Sequence, residues 1–344
     1  GSRQSNYNNQ NRSPRTPPFN LSMNKKIYFL LIGAVLGMMA SVWLVDRAKD
    51  TEGNFTKFDD QVFATMHDWF LSPPAVTDHG QNVDRMIWML HVLMGILFVG
   101  WGAYYIICLM KFRQSVHPKA DYAGVTDKTW STLAEYGVIV IEVILLVSFS
   151  IPLWVSWQDG MKVAKIKEDG IEIHVLAKQF DWNARYAGSD REFAPQFIEK
   201  ANKATNPFGL DPEDSTIDDV IVLGANSKEK AIVVPWGESV VIKVTSMDVI
   251  HSFKVLPLRA LTDAIPGLQL PVYFRINEDL LPKDEKGNPK EAVYLITCAQ
   301  LCGEGHGYMS GYLKVVSPEK YKDWIAEQSA SALAKRSKAR LAAK

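Results

Sequence analysis

Cysteine is scarce in this sequence, with three among 344 residues. A small disulfide-stapled scaffold carries far more, so the chain must rely on packed cores. Net charge is lacking too, because 38 Lys plus Arg balance 38 Asp plus Glu. No global field therefore selects nucleic acid or an anionic surface as partner. The C-x-x-C-H attachment pattern for a covalently bound haem is missing. After Trp157 no apolar run is long enough to cross a bilayer.

Before Trp157 the apolar residues are concentrated. Three stretches, 27–45, 86–110 and 133–157, meet the roughly 20 residues needed to cross hydrocarbon. Residues 1–26 are polar, predicted flexible, and hold five basic residues and no acid. The connector 111–132 holds four basic residues, whereas 46–85 has four basic residues against eight acids. By the positive-inside rule the N-terminus and the 111–132 connector face the cytoplasm, and everything after Trp157 lies outside. The run beginning at Met23 fits either a signal peptide or a retained helix, and both give the same orientation. Glu135 and Glu142 sit in the third stretch, two helical turns apart on one face. An ionisable group in hydrocarbon is costly, so both should face protein or water.

From about residue 170 the pattern changes to period two. IEIHVLAKQFDWNARYAG reads as a strand pair, AIVVPWGESVVIKVTS as two strands turning at Pro235–Gly237, and DVIHSFKVLP as another strand. EAVYLITC and MSGYLKVV are strands on either side of a loop. Short strands punctuated by Gly and Pro predict an all-β sandwich or barrel. Residues 188–220 read as a surface insertion, acidic toward its end, and Ser317-Pro318 as a helix start.

The loop between the last two strands is CAQLCGEGHGYM, residues 298–309. Read from Cys302, thiolate, His306 and Met309 follow the ligand order of a mononuclear blue-copper loop, which needs a second His. His251 in DVIHSF is suited to that role. The extra Cys298 breaks the mononuclear pattern. Two thiols, two imidazoles and a thioether suit two coppers bridged by both sulfurs, with the Gln300 carbonyl as a further donor. A C-x-x-x-C pair in an oxidising compartment also fits a disulfide, and Cys with His also fits zinc, although Met309 has no use at zinc. His174, His67, His79 and His117 match no ligand pattern, the last three reading as exposed connector residues, and His91 reads as a hydrogen-bonded helix contact. Cys108 reads as a small buried hydrophobe.

CAQLCGEGHGYM, DVIHSF, TDAIPG and KQFDWNARY, following apolar helices, resemble cytochrome c oxidase subunit II over roughly 130–325. The resemblance implies apolar transmembrane helices followed by a cupredoxin-like sandwich over 165–317, with a C-terminal helix and tail over 318–344. It implies a binuclear copper centre, CuA, held by His251, Cys298, Gln300 through its carbonyl, Cys302, His306 and Met309. It further implies electrons taken from a cytochrome c, or from a cytochrome c domain of a larger assembly. They would pass to haem in subunit I, where oxygen is reduced to water with proton pumping. The implied location is the inner membrane, copper domain on the periplasmic side, among other oxidase subunits and lipid.

The family often has Glu at Gln300, where it helps hold a magnesium ion at the subunit I boundary; Gln offers an oxygen without charge. Phe180 stands where the family carries the Trp that admits electrons, and Trp182 lies two residues on. Glu135 matches the family's proton-path Glu, without the Trp and Pro that follow it there, and Glu142 lies deeper. Asp263 falls near the family's subunit interface, and Arg259 stands near where a basic residue is common in the family. Asp181 and Asp248 flank motif positions and are candidates to attract a basic cytochrome. A quinol-oxidase subunit would have lost the ligands that are all present here, and a copper-delivery protein would expose fewer. Nitrous-oxide reductase shares the binuclear motif but needs far more than seven histidines.

Overall fold

The structure is a computed structural model that describes residues 73–116, 118–119, 122, 128–155 and 170–342. The apolar stretch 27–45, the polar N-terminus, His67 and His117 lie outside these residues. The two later apolar stretches form helices: α1, Asp78–Lys111, and α2, Thr129–Leu145, prolonged through a π-helical turn, Leu146–Ser150, to Val155. At 1.5 Å per residue, 34 residues give α1 about 50 Å, ample for a bilayer. Thr77 caps α1, its hydroxyl accepting from Gly80 N–H at 3.2 Å. Large apolar side chains point outward all round, Phe98 at 80% exposure and Trp101 at 63% among them. A helix that is apolar on every side belongs inside lipid or against other protein. His91 Nδ1 donates to the carbonyl oxygen of Ile87 at 2.7 Å.

The rest is a sandwich of two five-stranded sheets. The strands are β1 Ile171–Lys178, β2 Asp181–Tyr186, β3 Val220–Val222, β4 Ile232–Pro235, β5 Ser239–Ser246, β6 His251–Val255, β7 Ala260–Ala264, β8 Leu270–Arg275, β9 Ala292–Cys298 and β10 Ser310–Val316. One sheet runs β3-β2-β1-β5-β8 and the other β4-β10-β9-β6-β7. β1 with β5 and β4 with β10 pair in parallel; the other pairs are antiparallel. Alternating side chains fill the space between the sheets with Trp182, Tyr186, Phe253, Phe274 and branched aliphatics. The turn at Trp236–Gly237 does not close a hairpin. It passes the chain from one sheet to the other, with Gly237 at φ +73° and Pro235 on an edge strand that spares its missing N–H.

The segment before α1 is tied to the sandwich. Val76 N–H donates to Pro257 O, Asn277 N–H to Val76 O, and the Thr77 hydroxyl to Leu258 O. Arg259, in the left-handed region at φ +50°, grips Asp84 of α1 with a two-pronged ion pair at 2.7 and 2.8 Å and also reaches Pro73 O. His79, expected to be exposed, is half-buried at this root.

The insertion has its own small core of Leu176, Phe208, Leu210 and Ile217, with Met247 against it. Its acidic end is not a solvated face: Asp218 and Asp219 are 7% and 2% exposed. Asp219 pairs with Arg185 of β2 at 2.6 Å, both side chains 1% exposed. Ser317 caps α3, Pro318–Ala342, accepting from Lys320 N–H, and Tyr321 and Trp324 dock against Tyr186 and the sandwich core.

Candidate metal centre

The sulfur-rich loop joins β9 to β10 at one end of the second sheet. Cys298 closes β9 and Met309 lies opposite it, because Cys298 N–H donates to Met309 O at 3.2 Å and prolongs the ladder. His251 opens the neighbouring strand β6, whose Phe253 is in register with Cys298. Ala299 N–H donates to Ser252 O, stitching the loop to the same strand. His306 begins a single 3₁₀ turn, His306–Tyr308, which swings its ring back over Cys302. Strand register therefore delivers five soft side chains to one point.

The distances show two similar halves. The Cys298 sulfur lies 3.9 Å from His251 Nδ1 and 3.1 Å from the Gln300 carbonyl oxygen. The Cys302 sulfur lies 3.6 Å from His306 Nδ1 and 3.8 Å from the Met309 sulfur. The two thiol sulfurs are 3.8 Å apart and free, far beyond the roughly 2.05 Å of a disulfide bond. Donor atoms of His251, Cys298 and Cys302 all fall within 4.8 Å of one another. His251, Cys302 and Met309 are buried, Cys298 and His306 half-buried, and Gln300 exposed at the surface. Burial, and then the neighbouring Cys298 thiol, push the Cys302 thiol up to about 11.

Around this cluster is a second set of contacts. The far nitrogen of His251, Nε2, lies 3.0 Å from Asp248 Oδ1, which fixes the ring orientation. Asp248 also accepts from Val249 N–H at 2.8 Å and Gln179 N–H at 2.9 Å. Burial opposes its charge, but these hydrogen bonds and His251 outweigh it and hold the carboxyl below its usual range. Asp248 is thus engaged with His251, not presented to solvent as a free charge. Asp181 likewise pairs with Lys178 and accepts from the Asn183 amide. The Gln179 side-chain amide donates to Cys302 O at 2.8 Å.

Phe180 is 40% exposed and lies across the loop where Gly303 and Gly305 leave room; a Cβ on Gly305 would overlap its ring. Gly303 itself sits at φ +128°. Trp182 is fully buried beneath, edge-on to His251 and Phe253 at 6.3 and 5.5 Å. Leu301 and Tyr308 stand out from the loop at 76% and 88% exposure. Glu135 and Glu142 are elsewhere, on the outer surface of α2, with Ser131 donating to Glu135 at 3.1 Å. Asp263 is exposed on β7. His174 is no part of the cluster: it bonds Glu172 at 2.7 Å and stacks on Phe193. Asp248 and Gln179 are the contributors that sequence spacing does not single out as supports, although Asp248 opens DVIHSF and Gln179 precedes Phe180.

Residues 172–316 match the family model described as "Cytochrome C oxidase subunit II, periplasmic domain". The chain is 33% identical over 195 residues to a "Probable cytochrome c oxidase subunit 2" of Rickettsia felis, covering 56% of this chain and 52% of that protein. It is 29% identical over 245 residues to the protein of the same description in Rickettsia bellii, covering 70% of this chain and 77% of that one. Against the first of these relatives, the chain spans about half its length. Among solved structures, the periplasmic domain of subunit II of cytochrome oxidase of Bradyrhizobium japonicum is similar at 18% identity and a TM-score of 0.32, covering 48% of this chain and 98% of that one.

Proposed function

We propose that the chain is the electron-relay subunit of a haem–copper oxidase, because its residues 172–316 match the family model of the subunit II periplasmic domain. Its sulfur-rich loop would hold two copper ions. One observation carries this reading: two unbridged thiols 3.8 Å apart, each with its own imidazole Nδ1 within 4 Å. The donor set fits the group. Soft thiolate and thioether sulfurs with imidazole select copper, and a single tetrahedral zinc would leave Met309 without a role.

His251, Cys298, Cys302, His306 and Met309, with the Gln300 carbonyl, would hold the ions. Bound there, the coppers supply a one-electron carrier. The chain's own part is orientation and exclusion of water. Asp248 holds the His251 ring through Nε2, leaving Nδ1 toward the sulfurs. Gln179 pins the Cys302 backbone, and burial of Cys302, Met309 and His251 keeps water off the donors. A fixed protein cage limits rearrangement on electron gain, which is what a relay requires.

Electrons would arrive from a cytochrome c, free or part of a larger respiratory assembly, and leave to haem in subunit I. Phe180, exposed over the loop, is the better placed ring for arrival; Trp182 is sealed beneath and serves as packing behind His251. The domain would stand on the periplasmic side of the inner membrane, anchored by α1 and α2. Glu135 and Glu142, exposed on α2, would meet subunit I, where a proton path needs a carboxyl. Gln300, exposed beside the thiols, would face the same subunit and could contribute an oxygen to a magnesium ion there.

The test is metal loading of the full chain in detergent. Two coppers per chain, a purple colour and a paramagnetic spectrum from one electron shared by two nuclei are expected. One copper with an axial spectrum, a preference for zinc, or a Cys298–Cys302 disulfide that persists under reductant would overturn the reading.

A further inference from the structure

The insertion between β2 and β3 reaches the candidate centre. Its tip, residues 202–206, is a closed turn: Asn202 and Asn206 exchange backbone hydrogen bonds, and the Asn202 side chain accepts from Ala204 N–H and Thr205 N–H. Asn206 ties the turn to Lys200 O and to both backbone groups of Leu210. Lys178 of β1 donates to Lys203 O. The small core beneath includes Met247, the residue before Asp248. Lys203 is therefore carried on a braced turn, and its ammonium lies 3.6 Å from Asp248 Oδ2. Asp248 meets His251 through its other oxygen, Oδ1.

We propose that the insertion is a tuning element for the metal centre, with Lys203 as a positioning residue acting on His251 through Asp248. The inference rests on the copper reading above. A cation on one carboxylate oxygen draws negative charge away from the oxygen facing the imidazole. With Lys203 in place the imidazole is a poorer electron donor, and a nearby positive charge also favours the reduced metal; both effects raise the midpoint potential. The Lys203 side chain is 66% exposed, so the pair adds little to folding stability and its removal should leave the fold intact.

The experiment uses the full chain in detergent, reconstituted with copper. Lys203→Gln should keep two coppers and the wild-type unfolding midpoint but show a lower potential and an altered His251 nitrogen hyperfine coupling. Lys203→Glu should lower the potential further, and Lys203→Arg should restore it. Lys200→Gln, which removes the Lys200–Asp211 pair in the same insertion, should leave potential and hyperfine coupling unchanged. If copper binds but Lys203→Gln matches wild type in both readouts, the inference fails while the copper reading stands. If wild type takes no copper, that reading fails and the metal-free chain decides the inference. The His251 ring-nitrogen shifts should then differ between wild type and Lys203→Gln, and identical shifts overturn it.

Discussion

Two carboxylates in this protein sit deep beside a nitrogen base, and they do opposite jobs. Asp219 meets Arg185 at the root of the insertion, with both side chains 1% exposed. Asp248 meets His251 beside the thiols, with His251 fully buried and Asp248 at 12% exposure. Guanidinium is always charged and offers only donors, so the first pair has no lone pair to give a metal, and Arg185 spends its donors on Asp219 and Ala194 O. Imidazole has two nitrogens. Asp248 occupies one, and the other is left pointing at sulfur, free to bind a metal. The same pairing exhausts the base in the first case and, on the copper proposal, leaves it a ligand nitrogen in the second.

The comparison can be broken most decisively at the ligands. His251→Ala should lose one of two coppers, and Cys298→Ser should convert the spectrum toward a single-copper type, with far-ultraviolet dichroism unchanged. Next comes the structural pair. Asp219→Ala leaves a buried guanidinium uncompensated and should cost about 3–5 kcal/mol in denaturant unfolding. Copper stoichiometry should stay at two; a loss of metal at unchanged stability would reverse the division drawn here.

Asp248→Asn is smaller and of the other kind. It keeps the shape but weakens the hold on His251, so copper affinity should fall about 10- to 100-fold, roughly 1.4–2.7 kcal/mol, with stability nearly unchanged. The smallest effect belongs to Glu172, whose pKa is lowered to about 2 by the His174 hydrogen bond and by Lys243. Its depressed folded-state value means a stabilising contribution that is full above the ordinary 4.5 and fades as pH falls toward about 2. Glu172→Gln should flatten the acid limb of stability by less than about 1 kcal/mol, because the side chain is 38% exposed.

Much of the site could be seen in the sequence because four of its side chains and the Gln300 carbonyl lie within twelve residues of one loop. The strands were legible for a similar reason, as a half-buried strand writes its two faces into alternate positions, which β10 shows plainly. The apolar helices are legible by length alone. The course of the chain between sheets was not. Nothing in VVPWGES distinguishes a hairpin from a crossing, because a turn looks the same whichever sheet receives the next strand. The acidic end of the insertion misled in another way. The insertion reads as a surface element, but Arg185, thirty-four residues away from Asp219, takes that carboxylate of its acidic end into the interior.

By itself the sequence determined the chemistry available: two thiols, two imidazoles and a thioether of the right softness, two helices apolar enough for a membrane, and strands with one face to bury. Those properties are local, fixed by residue type and short spacing. The tertiary structure alone decided which of them meet. It brought His251 to a thiol 47 positions away, set Asp248 behind it with Lys203 beyond, and clamped Arg259 onto a helix 175 positions earlier. Such meetings depend on strand register and on how loops close across two sheets. No local pattern encodes them, because they arise only when the whole core packs at once.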